Sequence, residues 1–277
     1  MKWPSGGTCS AENGNQIAAS TQIQDFRPNL VAVSVGFDAH AHDPIANETL
    51  EAEDFHWLGE SLRKLGVPIL SLLEGGCGDD LVEACGRLPK LCESAHIPVQ
   101  SGSNRILKLM HRGYTRERFV RIIEKLRRVQ PGIGLCTDFI VGFPGETEAD
   151  FEETLSLVRE VEFDQAYIFK YSPRKDTPAA KMPDQLPREV KEERNQRLLA
   201  SVNDIAGRKY RACVGRTEQI LVEGSSKKNP ARMTGRTRSN KIVVFEGSER
   251  HRGQLMDVRI TRAGSFTLYG DPAVANL

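Results

Sequence analysis

Thr137–Phe151 reads TDFIVGFPGETEADF, and the organisation of the chain follows from it. The apolar run Phe139–Val141 ends in a loop punctuated by Gly142, Pro144 and Gly145. Thr147 then opens a helix, and Asp150 three residues on completes a capping-box pattern. Phe151, Leu155 and Val158 recur at i, i+4, i+7, the stripe of an amphipathic helix. Strand, tight loop and helix make one βα unit. In parallel α/β folds the loop after such a strand faces the ligand. Gly142 and Gly145 would let backbone approach a bound molecule, and Glu146 would accept a hydrogen bond from it. The alternative is that both glycines only make the turn.

Upstream of this unit, His96–Ser103 is a short extended segment ending in small polar residues. Ser103 is placed to cap the next helix, whose apolar face is Ile106, Leu107 and Met110. Thr115 starts a further helix with Phe119, Ile122, Ile123 and Leu126 inward, and Pro131-Gly132 stops it. Downstream, Ala166–Tyr171 reads as a second strand leading into Ser172-Pro173-Arg174-Lys175. The alternation of helix and strand is that of a parallel (β/α) barrel segment. Three strand-end loops, QSGS, GFPGE and YSPRKDTP, would open on one face, where Arg174 and Lys175 suit an anionic ligand or are solvated surface charge. Pro187–Lys209 is a charged helix with Leu198, Val202 and Ile205 along its stripe.

The first 25 residues carry little pattern and are expected to be a loose or disordered lead-in. Leu30–Val35 and Pro68–Leu73 are short apolar runs that read as buried strands, with a helix over Ala52–Leu65 between them: a βαβ fragment with parallel strands. The loop Gly36–Pro44 holds Asp38, His40 and His42, a metal-binding combination or a polar surface loop. After residue 209, strand-like runs recur at Thr217–Val222, Met233–Arg236, Lys241–Phe245, Gln254–Thr261 and Ser265–Tyr269, which predicts a small all-β barrel.

The chain has 277 residues, 39% hydrophobic and 27% charged, so two or more globular units are expected. No apolar run approaches the length of a membrane span and no signal-peptide pattern opens the chain, so a cytoplasmic protein is expected. The six cysteines form no CxxC or CxxxCxxC cluster, so spacing points to neither zinc nor iron–sulfur ligation. Charge is uneven. Residues 1–87 hold 5 Lys/Arg against 13 Asp/Glu, while residues 208–262 hold 14 against 5. Lys227, Lys228, Arg232, Arg236, Arg238 and Lys241 concentrate near the centre of the basic tail, a pattern that contacts phosphates. Phe245 and Tyr269 are aromatic candidates there, Phe245 for burial rather than base stacking.

Two resemblances add to this. Phe26–Leu58 (FRPNLVAVSVGFDAHAHDPIANETLEAEDFHWL) with Ile69–Gly76 (ILSLLEGG) resembles the C-terminal part of the histone deacetylase / acetylpolyamine amidohydrolase family. That resemblance implies that Asp38 stands at a zinc-ligand position, but the other two ligands and the catalytic His pair are missing, and Cys77 stands where the family has Tyr or His. It implies a deacetylase fragment without deacetylase activity.

From Leu88 onward the chain resembles the radical S-adenosylmethionine tRNA methylthiotransferases, in the branch acting on isopentenylated adenosine beside the anticodon. Leu88–Thr115, Thr137–Phe151 and Phe163–Ala180 carry this, and Val222–Phe245 with Gly253–Asp271 resembles the OB-like TRAM domain, an RNA-binding module. By that resemblance Gln100 and Ser103 lie near S-adenosylmethionine, Ile140 and Gly142 back its adenine or ribose, and Arg174 reaches toward the active site. It implies S-adenosylmethionine and 4Fe–4S clusters as cofactors and tRNA as partner. The family's cluster-binding cysteine motifs should precede Leu88 and are absent. The expected architecture is therefore a lead-in (1–25), a deacetylase-like βαβ fragment (26–87), the C-terminal part of a radical SAM barrel (88–208) and a TRAM barrel (209–277). A silent methylthiotransferase relative, an RNA-binding module without chemistry, and a zinc-dependent amidohydrolase are the three functional readings. The abrupt change near Leu88 suggests a joined or truncated reading frame.

Overall fold

The computed structural model describes residues 31–35, 69–73, 79–87, 91–175 and 177–273. The lead-in, the Asp38 loop, the 52–65 helix and Cys77 lie outside these residues.

Strands β1 (Val31–Val35) and β2 (Ile69–Leu73) pair in parallel, Val31 opposite Ile69 and Val35 opposite Leu73, as the two apolar runs predict. Helix α1 (Asp79–Arg87) follows, an element the sequence reading did not anticipate. Val82 of α1 joins the same hydrophobic core as Phe119, Ile122 and Leu126, so that core runs across the boundary expected at Leu88.

The central layer is a parallel sheet of β3 (Ser94–His96), β4 (Gly134–Val141) and β5 (Gln165–Lys170), in that order. β2 lies against β3, although the two belong to separate hydrogen-bonded sheets. Helices α2 (Asn104–Leu109) and α3 (Arg116–Val129) connect β3 to β4, and α4 (Glu148–Val161) connects β4 to β5. The crossover pattern is what a parallel sheet requires. Thr115 caps α3, its side chain accepting from the Arg118 N–H, and the four apolar residues on the inward stripe of α3 are all buried. On α4 the capping box of Thr147 and Asp150 is formed as expected.

Burial along β4 alternates. Leu135, Thr137, Phe139 and Val141 are buried under the helices, while Cys136, Asp138 and Ile140 are half-buried on the opposite face. Phe139 and Phe163 meet edge-on with centroids 5.8 Å apart at the centre of the helix-covered core.

Helix α5 (Arg188–Arg211) buries Leu198, Val202 and Ile205 against this layer, and its last turn enters the C-terminal unit through Tyr210. There β6 (Thr217–Ser225), β7 (Met233–Thr237), β8 (Ile242–Phe245), β9 (Leu255–Ala263) and β10 (Leu268–Pro272) form a closed barrel in the order β10-β8-β7-β6-β9. All five predicted strands are present, and closure leaves no sheet edge open. Phe245 is fully buried in its core, as expected, with Ile220, Val258 and Leu268.

Candidate functional site

Because β3, β4 and β5 are parallel, the loops after them share one edge. The structure brings these loops together by named hydrogen bonds. Asp150, at the start of α4, is the main tie. It accepts from Ser103 Oγ at 2.6 Å, from the Thr147 N–H at 2.8 Å and from Arg105. Arg105 also donates to the Gly145 carbonyl at 2.6 Å. The QSGS and GFPGE loops are thus locked to each other. Burial of Asp150 opposes ionisation, but the Arg105, Ser103 and Thr147 hydrogen bonds outweigh it and hold the carboxyl well below the usual carboxylate range.

Ser103 sits at the N-cap position of α2 with extended backbone, yet its hydroxyl makes no cap bond. The capping expected from sequence is therefore corrected: the nearby Asp150 carboxylate is a stronger, charged acceptor and takes the hydroxyl. Gly102 next to it is packed so closely on α4 that a Cβ would fall 2.5 Å from the Glu153 carbonyl oxygen. Gln100 has φ +65°, and its backbone is used on both sides by β4, through the Asp138 carbonyl and the Ile140 N–H. Its side chain is half-exposed at the loop edge.

Gly142 has φ +72°, a conformation that favours glycine. Its N–H donates to Glu146 Oε2 at 2.7 Å. The same carboxylate oxygen accepts from Arg194 Nη1 of α5 at 2.6 Å, and both side chains are buried. Glu146 therefore closes its own loop and ties it to α5; the sequence reading that it contacts a ligand is corrected. Burial pushes the Glu146 carboxyl above its ordinary range even though Arg194 and the Gly142 N–H pull the other way. Tyr171 begins the third loop. Its ring meets Phe143 edge-on at 5.1 Å, and its backbone N–H donates to the Val141 carbonyl. Arg174 is exposed beyond it.

The sheet face away from the helices carries His96, Asp138, Ile140, Tyr167 and Phe169. His96 Nε2 lies 3.0 Å from Asp138 Oδ1, and the His96 and Tyr167 rings are 5.8 Å apart. Strand pairing sets Tyr167 beside Asp138 and Phe169 beside Ile140. Tyr167 and Phe169 are 47% and 53% exposed, unusual for aromatics in a parallel sheet. Sequence reasoning passed over both, because in AYIFK the apolar side chains look continuous.

The basic residues of the C-terminal barrel divide into two groups. Lys227 and Lys228 are exposed on the loop between β6 and β7, Arg232 ends that loop with Glu246 beside it, and Arg236 lies at the other end of β7, paired with Glu223 and Asn240. Arg238 and Lys241 instead face the α/β layer. Arg238 donates to Glu93 at 2.6 and 2.9 Å and to the Leu91 carbonyl. Lys241 is buried, its Nζ 2.8 Å from Asp164 Oδ1, and Lys209 reaches the other Asp164 oxygen. Burial works against ionisation of Asp164, but Lys241 and Lys209 hold the carboxyl below its usual range. Arg262 stacks over the Tyr269 ring at 3.7 Å.

Among the described residues no group of three or more His, Cys, Asp or Glu comes together to hold a metal ion. Burial raises the thiols of Cys85, Cys92, Cys136 and Cys213, Cys136 to about 12, which works against a ligating thiolate. These residues do not fit an iron–sulfur cluster.

Comparison with known proteins now bears on this geometry. Residues 43–158 match the radical SAM superfamily model, and residues 211–273 match the TRAM domain model. The first match reaches back across part of the deacetylase-like stretch. The second coincides with the closed barrel. The tRNA-2-methylthio-N(6)-dimethylallyladenosine synthase of Moorella thermoacetica is 54% identical over 192 residues, 69% of this chain and 43% of the relative. That of Methylacidiphilum infernorum is 50% identical over 202 residues, 73% of this chain and 43% of the relative.

This chain is similar to the tRNA methylthiotransferases over its radical SAM and TRAM matches.

It spans less than half the length of these curated family members. Coproporphyrinogen III oxidase from Escherichia coli, a radical SAM enzyme, superposes with a TM-score of 0.53 at 13% identity, covering 83% of this chain and 61% of that one. This likeness concerns the fold. Among the described residues no helix is long and apolar enough to cross a membrane.

Proposed function

We propose that this chain is a cytoplasmic tRNA-binding member of its family that transfers no methylthio group by itself. The exposed Lys227-Lys228 loop, on a closed barrel that coincides with the TRAM match, carries the proposal. Arg232 borders the loop and Arg236 extends the phosphate-facing surface from the other end of β7; Arg238 and Lys241 are assigned to the seam with the α/β layer instead. S-adenosylmethionine is assigned to the shared strand-end edge. Gln100 and Ser103 lie near it, Ser103 holding its loop through Asp150, Ile140 and Gly142 back its adenine or ribose, and Arg174 reaches toward it from the third loop. The half-exposed Gln100 amide fits such a ligand. Nothing in the 277 residues reads CxxxCxxC, and the described thiols do not fit a cluster, so no redox step is assigned to this chain.

The deacetylase-like stretch is assigned a structural part in this proposal: two strands beside β3 and no amide hydrolysis. Zinc binding by the full chain would reject that assignment.

The test is a titration of tRNA onto residues 1–277 over a salt series. Tight binding with a steep dependence on salt is expected, and replacing Lys227 and Lys228 by Ala lowers the slope by about 0.9 for each phosphate no longer neutralised. Binding that ignores salt, or survives the double replacement unchanged, would reject the proposal.

A further inference from the structure

A crevice of about 670 Å³ lies between the α/β layer and the C-terminal barrel, a volume suited to a small molecule. It runs along the sheet edge where the strands begin, since Glu93, Ile133 and Asp164 line it and directly precede β3, β4 and β5. This is the edge opposite the QSGS and GFPGE loops.

The charges of the crevice do not balance. The single Asp164 carboxylate faces two ammoniums, Lys241 at Oδ1 and Lys209 at Oδ2, and Oδ2 also accepts from the Leu135 N–H at 3.1 Å. The Lys241 side chain is 10% exposed, so one positive charge in excess stands in a largely buried place. Each ammonium has three donors. Lys241 uses two, on Asp164 and Ser239 Oγ, and Lys209 uses two, on Asp164 and the Glu162 carbonyl. One remains on each. Arg127 and Arg216 also line the crevice. Arg127 donates to the Val161 carbonyl, and neither guanidinium has a carboxylate partner among the described residues. Burial raises the Cys213 thiol while Lys241 and Arg216 both pull it back, which sets these two cations around one point. Of the acidic residues lining the crevice, Glu93 is paired with Arg238 and Glu162 with Arg208, which leaves only the half-buried Glu218 to offset the surplus.

We propose that this crevice binds a small molecule bearing one phosphomonoester group, at a site separate from the RNA surface. The spare donors of Lys209 and Lys241 and the fork of Arg216 bond the phosphate oxygens. A nucleic-acid strand is a poorer occupant: it carries a charge at every phosphate, and Glu162 and Glu218 would repel the neighbouring ones. A neutral body attached to the phosphate meets Gln219 and Pro131 instead. Because both units supply the walls, occupancy also clamps the barrel to the α/β layer.

The test is a calorimetric titration of the full chain with ribose 5-phosphate at constant ionic strength, with inorganic phosphate and neutral ribose as reference probes. Both phosphate probes are expected to bind and ribose is not, and saturating ribose 5-phosphate should raise the Tm. Arg216→Ala should weaken binding about tenfold. It should leave the Tm of the free chain unchanged, because the Arg216 side chain is exposed and unpaired among the described residues. Glu218→Gln should tighten binding about twofold, which loss of a merely structural contact would not do. Replacing Lys227 and Lys228 by Ala should leave ribose 5-phosphate binding as it is. Failure of both phosphate probes to bind would overturn the inference. So would ribose binding as tightly as its phosphate, or affinity that survives Arg216→Ala and falls with Lys227 and Lys228 instead. Displacement of bound ribose 5-phosphate by tRNA would give the crevice to the RNA backbone and overturn it as well. The salt slope of the Lys227 and Lys228 replacements tests the proposed RNA binding independently of these results.

Discussion

Asp150 shows how much one side chain settles here. It completes the α4 capping box, which its spacing from Thr147 announces, and it also ties Ser103 and Arg105 to the next loop, which no local pattern announces. Asp150→Ala removes the cap and leaves a buried hydroxyl and a guanidinium without their acceptor. We expect a loss of roughly 2–3 kcal/mol, read from urea unfolding. The pH dependence follows from the depressed carboxyl. Its stabilisation is fully present above the unfolded value, about 3.9, and is lost as pH falls through the lower folded value. The stability gap between the unaltered chain and Asp150→Asn should therefore stay constant from neutral pH down to about 4 and shrink below it.

At the scale of elements, α5 is held on the α/β layer by more than its apolar stripe. Arg194 enters the core beside Phe151 and pairs with Glu146, which in turn closes the loop at Gly142. Removing one partner of a buried ion pair leaves the other charged in a poor solvent. Arg194→Met should cost about 3–5 kcal/mol and loosen the GFPGE loop, seen as faster amide exchange at Gly142. Glu146→Gln keeps an acceptor for both groups and should cost less. The stripe of α5 was readable from sequence. The role of Arg194 on the same helix was not readable, because its partner is 48 residues away in the chain.

At the scale of the whole molecule, the barrel is fastened to the α/β layer by Lys241, Lys209 and Asp164, and by Arg238 with Glu93. Two residues that composition assigned to RNA are thus engaged at the seam. Lys241→Met should lower stability by about 2 kcal/mol and resolve two thermal transitions where the unaltered chain shows one. It should leave the salt slope of RNA binding unchanged, in contrast to the Lys227 and Lys228 replacements.

The sequence by itself determined the elements whose signals are local. The α4 capping box, the α3 and α5 stripes, the β1–β2 pair and the five barrel strands all depend on spacings of a few residues, where periodicity and capping chemistry act. Its long motifs also pointed to the family. Tertiary structure decided the destinations of the polar side chains. Ser103 turns to Asp150, Glu146 to Arg194, Lys241 to Asp164, and Tyr167 with Phe169 to an uncovered face. A buried charge takes whichever partner packing brings within reach, and a strand side chain is inside or outside only once another layer covers it. Neither is a property of neighbours along the chain.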